Sequence, residues 1–136
     1  MSVNSDLIEE IQRRRHIIEK YSENYYKHLE ARDYSKASED LWGIVNNLAS
    51  ILSLLLQGKS IGKHSELREF INHLIILKQN PELKELLLAC EILHSNFFHN
   101  FMDELQFEEH RIKAEKLIKI LETYIIEELS KSKLYI

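Results

Sequence analysis

Seven histidines stand out in a chain of 136 residues, because imidazole is the commonest metal ligand and the side chain that titrates near neutrality. Glu91 and His94 form a Glu-x-x-His pair, the spacing that sets a carboxylate and an imidazole on one helix face in di-iron bundles. Such a centre takes a second pair of the same kind, and the sequence has none. Glu91 and His94 are therefore only weak metal candidates, and their first reading is an i,i+3 contact beside the core. His16 with Glu19 is a similar pair on an exposed face, and His99 with Asp103 places an imidazole one turn before an acid. Arg68 and His73 fit a loose Arg-x4-6-His pattern, but so short a motif recurs by chance among this many arginines and histidines. His73 reads as a helix-surface residue. No glycine-rich loop for phosphate and no strand-turn-helix setting for a nucleophile are present, which disfavours nucleotide-binding and hydrolase folds and implies no cofactor.

Two other groups have chemistry to offer. Cys90 lies on an apolar stripe, where a thiol acts as a small hydrophobe with its pKa raised. Arg13, Arg14 and Arg15 precede Tyr21, Tyr25 and Tyr26, and cations beside aromatic rings suit a single nucleic-acid strand. The competing reading makes Tyr21 and Tyr25 core residues and leaves the arginines solvated. A formal charge of −4 gives no global pull on nucleic acid, so RNA binding would have to come from that local cluster.

The elements that position these groups are helices. Three glycines and one proline are too few for hairpin turns, and apolar residues recur at three and four throughout. Leu7, Ile8, Ile11, Ile18, Tyr21, Tyr25 and Leu29 trace a first helix from about residue 5 to 32. Asp33 suits the N-cap of a second, whose stripe of Tyr34, Ala37, Leu41, Ile44, Leu48, Ile51 and Leu55 stops at Gly58. Ser65 is the expected cap of a third helix carrying Leu67, Phe70, Ile71 and Leu74. Asn80 and Pro81 end it and start a fourth, with Asn80 as N-cap and Leu83 to Phe101 as its run. A break is expected near Gln106, where the stripe loses phase, before a last helix through Ile112, Leu117, Leu121, Tyr124 and Ile125. Fraying at residues 130–133 would leave an apolar tail of Leu134, Tyr135 and Ile136, suited to docking on a partner.

The sequence thus predicts one all-α domain over residues 1–136, a compact bundle of about five helices with its ordered core at about 5–128. With no long uncharged apolar run, no basic leader and a single cysteine, neither a membrane span nor a secreted, disulfide-bonded chain is expected. The default location is the cytoplasm. No repeat points to a solenoid.

Two segments resemble the archaeal PaREP1 family, small proteins related to the HEPN superfamily of helical bundles. One runs from Leu29 to Ser50, with Asp33-Tyr34, Ala37 and Leu41-Trp42-Gly43; the other, from Leu93 to Phe101, has Leu93-His94 followed by Asn96-Phe97. Lys63-His64 and Leu67 fit the helix order between them. The resemblance implies an archaeal host, which the abundance of Ile, Lys and Glu suggests is thermophilic. It also implies a bundle with an up-and-down four-helix core. The matched residues make physical sense as packing: Trp42 offers a large buried surface, Gly43 lets another helix come close, and Asn96 and His94 are polar groups that need partners.

Active members of the HEPN superfamily are ribonucleases that share an Arg-x4-6-His motif, usually assembled across a dimer. Here position 94 is histidine where arginine is expected, and histidine lacks the fixed charge and rigid fork that bind phosphate. The leading expectation is a non-catalytic homodimeric interaction module, with a nucleotidyltransferase-type protein or RNA as a further partner. The alternative is a metal-independent ribonuclease using His94, Asn96 and His99. Five residues along a helix turn His94 and His99 about 140° apart, which is poor geometry for one phosphate.

Overall fold

Two residues bound the longest apolar stripe as their chemistry dictates. The Asp33 carboxylate accepts a hydrogen bond from the Lys36 backbone N–H at 3.1 Å, and Gly58 takes a left-handed φ of 72° while its N–H bonds the Leu54 carbonyl. In the computed structural model, which describes residues 2–132 with side chains from residue 5 on, the chain forms α1 (Ser2–Glu30), α2 (Tyr34–Gln57), α3 (His64–Leu77), α4 (Glu82–His99) and α5 (Glu104–Ser132). No strand occurs among the described residues. The tail of Leu134, Tyr135 and Ile136 lies outside them.

Helix α2 is the axis of the bundle and packs against all four others. Its Leu41, Val45, Leu48 and Leu52 meet Leu67 and Ile71 of α3, Leu86, Cys90 and Leu93 of α4, and Phe107, Leu117 and Leu121 of α5 in one buried cluster. Burial of this kind, worth about 25 cal/mol per Å² of apolar surface, is the main favourable term. Tyr21 and Tyr25 of α1 join it as expected, with Tyr25 fully buried and Tyr21 partly so. Gly43 is where α1 comes closest: a Cβ there would sit 2.4 Å from the Tyr21 ring. Helix α1 approaches only α2 closely, and its bridge to α5 is a hydrogen bond of 2.7 Å from the Tyr25 hydroxyl to Glu115.

Four boundaries differ from the sequence reading. Helix α1 stops at Glu30, with Arg32 at a φ of 58° forming the turn. Helix α3 starts at His64 instead of being capped by Ser65, because the Glu66 carboxylate accepts the Gly62 and Lys63 N–H groups at 2.9 and 2.8 Å. Asn80 does not cap α4; its side-chain amide donates to the Tyr124 hydroxyl at 3.3 Å, and Pro81 takes the cap position. Finally, α4 ends at His99, so the break falls at residues 100–103 rather than near Gln106. Asn100 adopts φ 45°, the Asn96 side-chain oxygen accepts the Phe101 and Met102 N–H groups at 2.9 Å each, and Asp103 and Gln106 cap α5 reciprocally.

Candidate functional site

The start of α2 lies beside the end of α4. Ser35 donates to the Phe97 carbonyl at 2.9 Å and the Asn96 amide donates to the Ser38 hydroxyl at 3.1 Å. This pairing brings Glu39 and Trp42, one turn apart on α2, against His94 and Phe98, one turn apart on α4. The first turns of α3 add His64 and Arg68.

The rings interlock. Trp42, almost buried, carries His94 stacked on it at 4.5 Å and 16°, and His64 tilted against it at 4.9 Å. The two imidazoles are 6.0 Å apart, and the exposed Phe98 meets His94 edge-on at 5.2 Å. Carboxylates back both histidines. Glu91 holds the His64 ring at 2.7 Å and accepts from the Arg68 guanidinium at 2.6 Å through the same oxygen.

Glu39 approaches His94 Nδ1 to 3.4 Å, yet that nitrogen is buried and has no hydrogen-bond partner. Burial and the neighbouring Asp40 push the Glu39 carboxyl up to about 7. Burial and the nearby His64 push the His94 imidazole down. Both shifts favour the uncharged forms and so weaken the ion pair between the two groups. Asp40 is itself raised by burial but is held by His28, whose Nδ1 lies 2.5 Å from its carboxylate.

The residues singled out from sequence fall into different environments. His94 belongs to the cluster. His99, last in α4, is exposed and points to another side of the helix. Asn96 is fully buried, with its amide committed to Ser38 and its oxygen to the turn after α4. The expected Glu91–His94 contact gives way to contacts between helices, Glu91 with α3 and His94 with α2. No group of three or more ligand-type side chains suited to a metal ion occurs among the described residues. Cys90 is buried, its thiol pushed up to about 12 by desolvation. Arg13 and Arg14 both pair with Glu10, and Arg14 also reaches Asn47 of α2 at 3.0 Å, which splits the arginine triplet. His73 is exposed, and His16 pairs with Glu19 at 3.6 Å. Sequence reasoning missed Glu39 and the meeting of His64 with His94; the only local signal is the i,i+3 spacing of Glu39 and Trp42.

A second feature lies on the outer side of α4 and α5. Ion pairs Lys113–Glu85 at 2.9 Å and Lys116–Glu82 at 2.6 Å fix these helices antiparallel. On α5, Leu105, Ile112 and Ile126 are 70%, 58% and 64% exposed, Ile126 at the edge of a groove shared with Ile11 and Ile18 of α1, and Leu88 of α4 is 55% exposed. The three α5 residues share a seven-residue spacing, with Lys119 at the remaining place, so they form one column along the helix.

A model of the archaeal PaREP1/PaREP8 family matches residues 13–118, a span that contains the whole ring cluster. No curated protein and no solved structure matches the chain.

Proposed function

We propose, from the premise that the chain belongs to the archaeal PaREP1/PaREP8 family, that it is a HEPN-like, non-catalytic interaction module of the cytoplasm whose first partner is a second copy of itself. The exposed column Leu105, Ile112 and Ile126 carries the reading. Scattered surface aliphatics are ordinary, but a column repeating every seven residues is the pattern of a helix seam.

A second copy is the occupant that fits its charges. In an antiparallel pairing of two α5 helices about a two-fold axis at Ile112, residues four away on either side face each other, so Lys116 of one copy, paired with its own Glu82, comes opposite Glu108 of the other, paired with its own Arg111, and opposite charges meet across the axis. Residues seven away likewise bring Leu105 over the alkyl stem of Lys119. Such an interface is self-complementary, as two-fold dimers require. The non-catalytic part is supported by the separation of His94 from His99 and by the packing role of Asn96. A nucleotidyltransferase-type protein or RNA remains a partner for the assembled dimer, RNA with no help from the charge of −4.

The test is a charge placed on the axis. Ile112→Glu should elute and scatter light as a monomer with unchanged helicity, while Ile76→Glu, at an exposed site on α3, should stay dimeric. If both variants match the wild type, the α4–α5 face is not the interface.

A further inference from the structure

Glu39 and His94 present an arrangement the interaction face does not use: a partly buried carboxyl and a buried ring nitrogen 3.4 Å apart, on two different helices, beside the only tryptophan. We infer that Glu39 and His94 hold one proton between them, that this proton latches the start of α2 to the end of α4 across Trp42, and that its loss loosens this end of the bundle.

The geometry sets the two states. With the proton present, the Glu39 hydroxyl donates to His94 Nδ1, and a rotamer adjustment of a few tenths of an ångström closes 3.4 Å to an ordinary hydrogen bond. With the proton gone, His94 can meet the carboxylate only by moving its own proton to Nδ1, and the negative charge is left in a poorly solvated gap next to Asp40.

The surrounding charges favour the transition falling near neutral pH. From α2, Asp40 disfavours a charged Glu39. His28 of α1 sits against Asp40, and the Tyr21 hydroxyl of α1 is itself pushed up by burial and then by the Glu39 and Asp40 carboxyls. From α3, His64 disfavours a charged His94, while Arg68 is held by Glu91 of α4. Burial acts on both members in the direction that keeps them neutral.

What moves is the ring stack. His94 is the contact between the buried Trp42 and the exposed Phe98, so release of the latch changes how Phe98 is presented at the end of the bundle. The device therefore converts a proton into a change in an exposed aromatic surface.

Trp42 supplies the readout, since it is the only tryptophan and His94 stacks on it. Emission from the full-length protein, titrated between pH 5 and 9, should show a one-proton transition near pH 7. Glu39→Gln, which keeps a donor for His94 at every pH, should abolish that transition while circular dichroism stays unchanged; His28→Gln, which touches Asp40 instead, should keep it. A transition that survives in Glu39→Gln, or a flat wild-type titration, overturns the inference. A pH-dependent shift of the His94 imidazole resonances that disappears in Glu39→Gln is the second measurement, and one that persists unchanged in the variant counts against the shared proton.

Discussion

Replacing Glu39 by glutamine should make the protein more stable, by an amount that grows as the pH rises from 4.5 and levels off above 7. Glu39 rises from 4.5 in the unfolded chain to about 7 in the folded one. The folded state therefore binds this proton more tightly, and stability is lost as the pH climbs from 4.5 through 7. At about 1.4 kcal/mol per pH unit the full cost of the ionised carboxyl is about 3 kcal/mol, and partial solvent access reduces it to about 2. The side chain is 24% exposed, so most of the penalty stands. Glutamine has no charge to desolvate and donates to His94 at every pH. At pH 8 the variant should gain about 2 kcal/mol, or roughly 5–10 °C in Tm for a domain of this size. At pH 5, where Glu39 is neutral in the folded protein and mostly ionised in the unfolded one, the gain should be about 0.8 kcal/mol, less than half of that at pH 8. Urea melts of both proteins at the two pH values measure this directly. An equal gain at both pH values, or none at pH 8, refutes the reasoning, because neither can come from a carboxyl whose ionisation burial and Asp40 oppose.

Three further outcomes test other parts of the molecule. Gly43→Ala drives a methyl into the Tyr21 ring and should cost about 1–3 kcal/mol in a denaturant melt, a loss that Tyr21→Ala in the same chain should partly relieve. Asn96→Ala strips the Phe101 and Met102 N–H groups of their acceptor and should cost about 2–4 kcal/mol, with hydrogen exchange fastest at the α4–α5 turn. Untagged protein should leave labelled single-stranded RNA intact; cleavage that vanishes in His94→Ala or His99→Ala would replace the interaction module with a ribonuclease.

The helices were legible because their signals are local. Asp33 and Gly58 act on their own backbone neighbours, and the stripe from Tyr34 to Leu55 needs no knowledge of what it packs against. The misplaced break after α4 shows a local signal overlooked. Asp103 and Gln106 form a capping pair three residues apart, while loss of hydrophobic phase marked only the helix already begun. Asn80 failed as a cap for a different reason, since its amide finds Tyr124, 44 residues later in the chain. The ring cluster is of the second kind throughout. His94 could be singled out, but its partners Glu39 and His64 lie on other helices, and only the packing of α2 against α3 and α4 brings them together. Glu91 shows the same limit, since the residue three positions away in sequence was the wrong histidine.

The homodimer is tested most directly by multi-angle light scattering of the untagged wild-type protein over a wide concentration series. A mass of twice 16.2 kDa that persists on dilution and falls to a single chain in Ile112→Glu is the expected result. A wild-type mass of one chain at every concentration would contradict it.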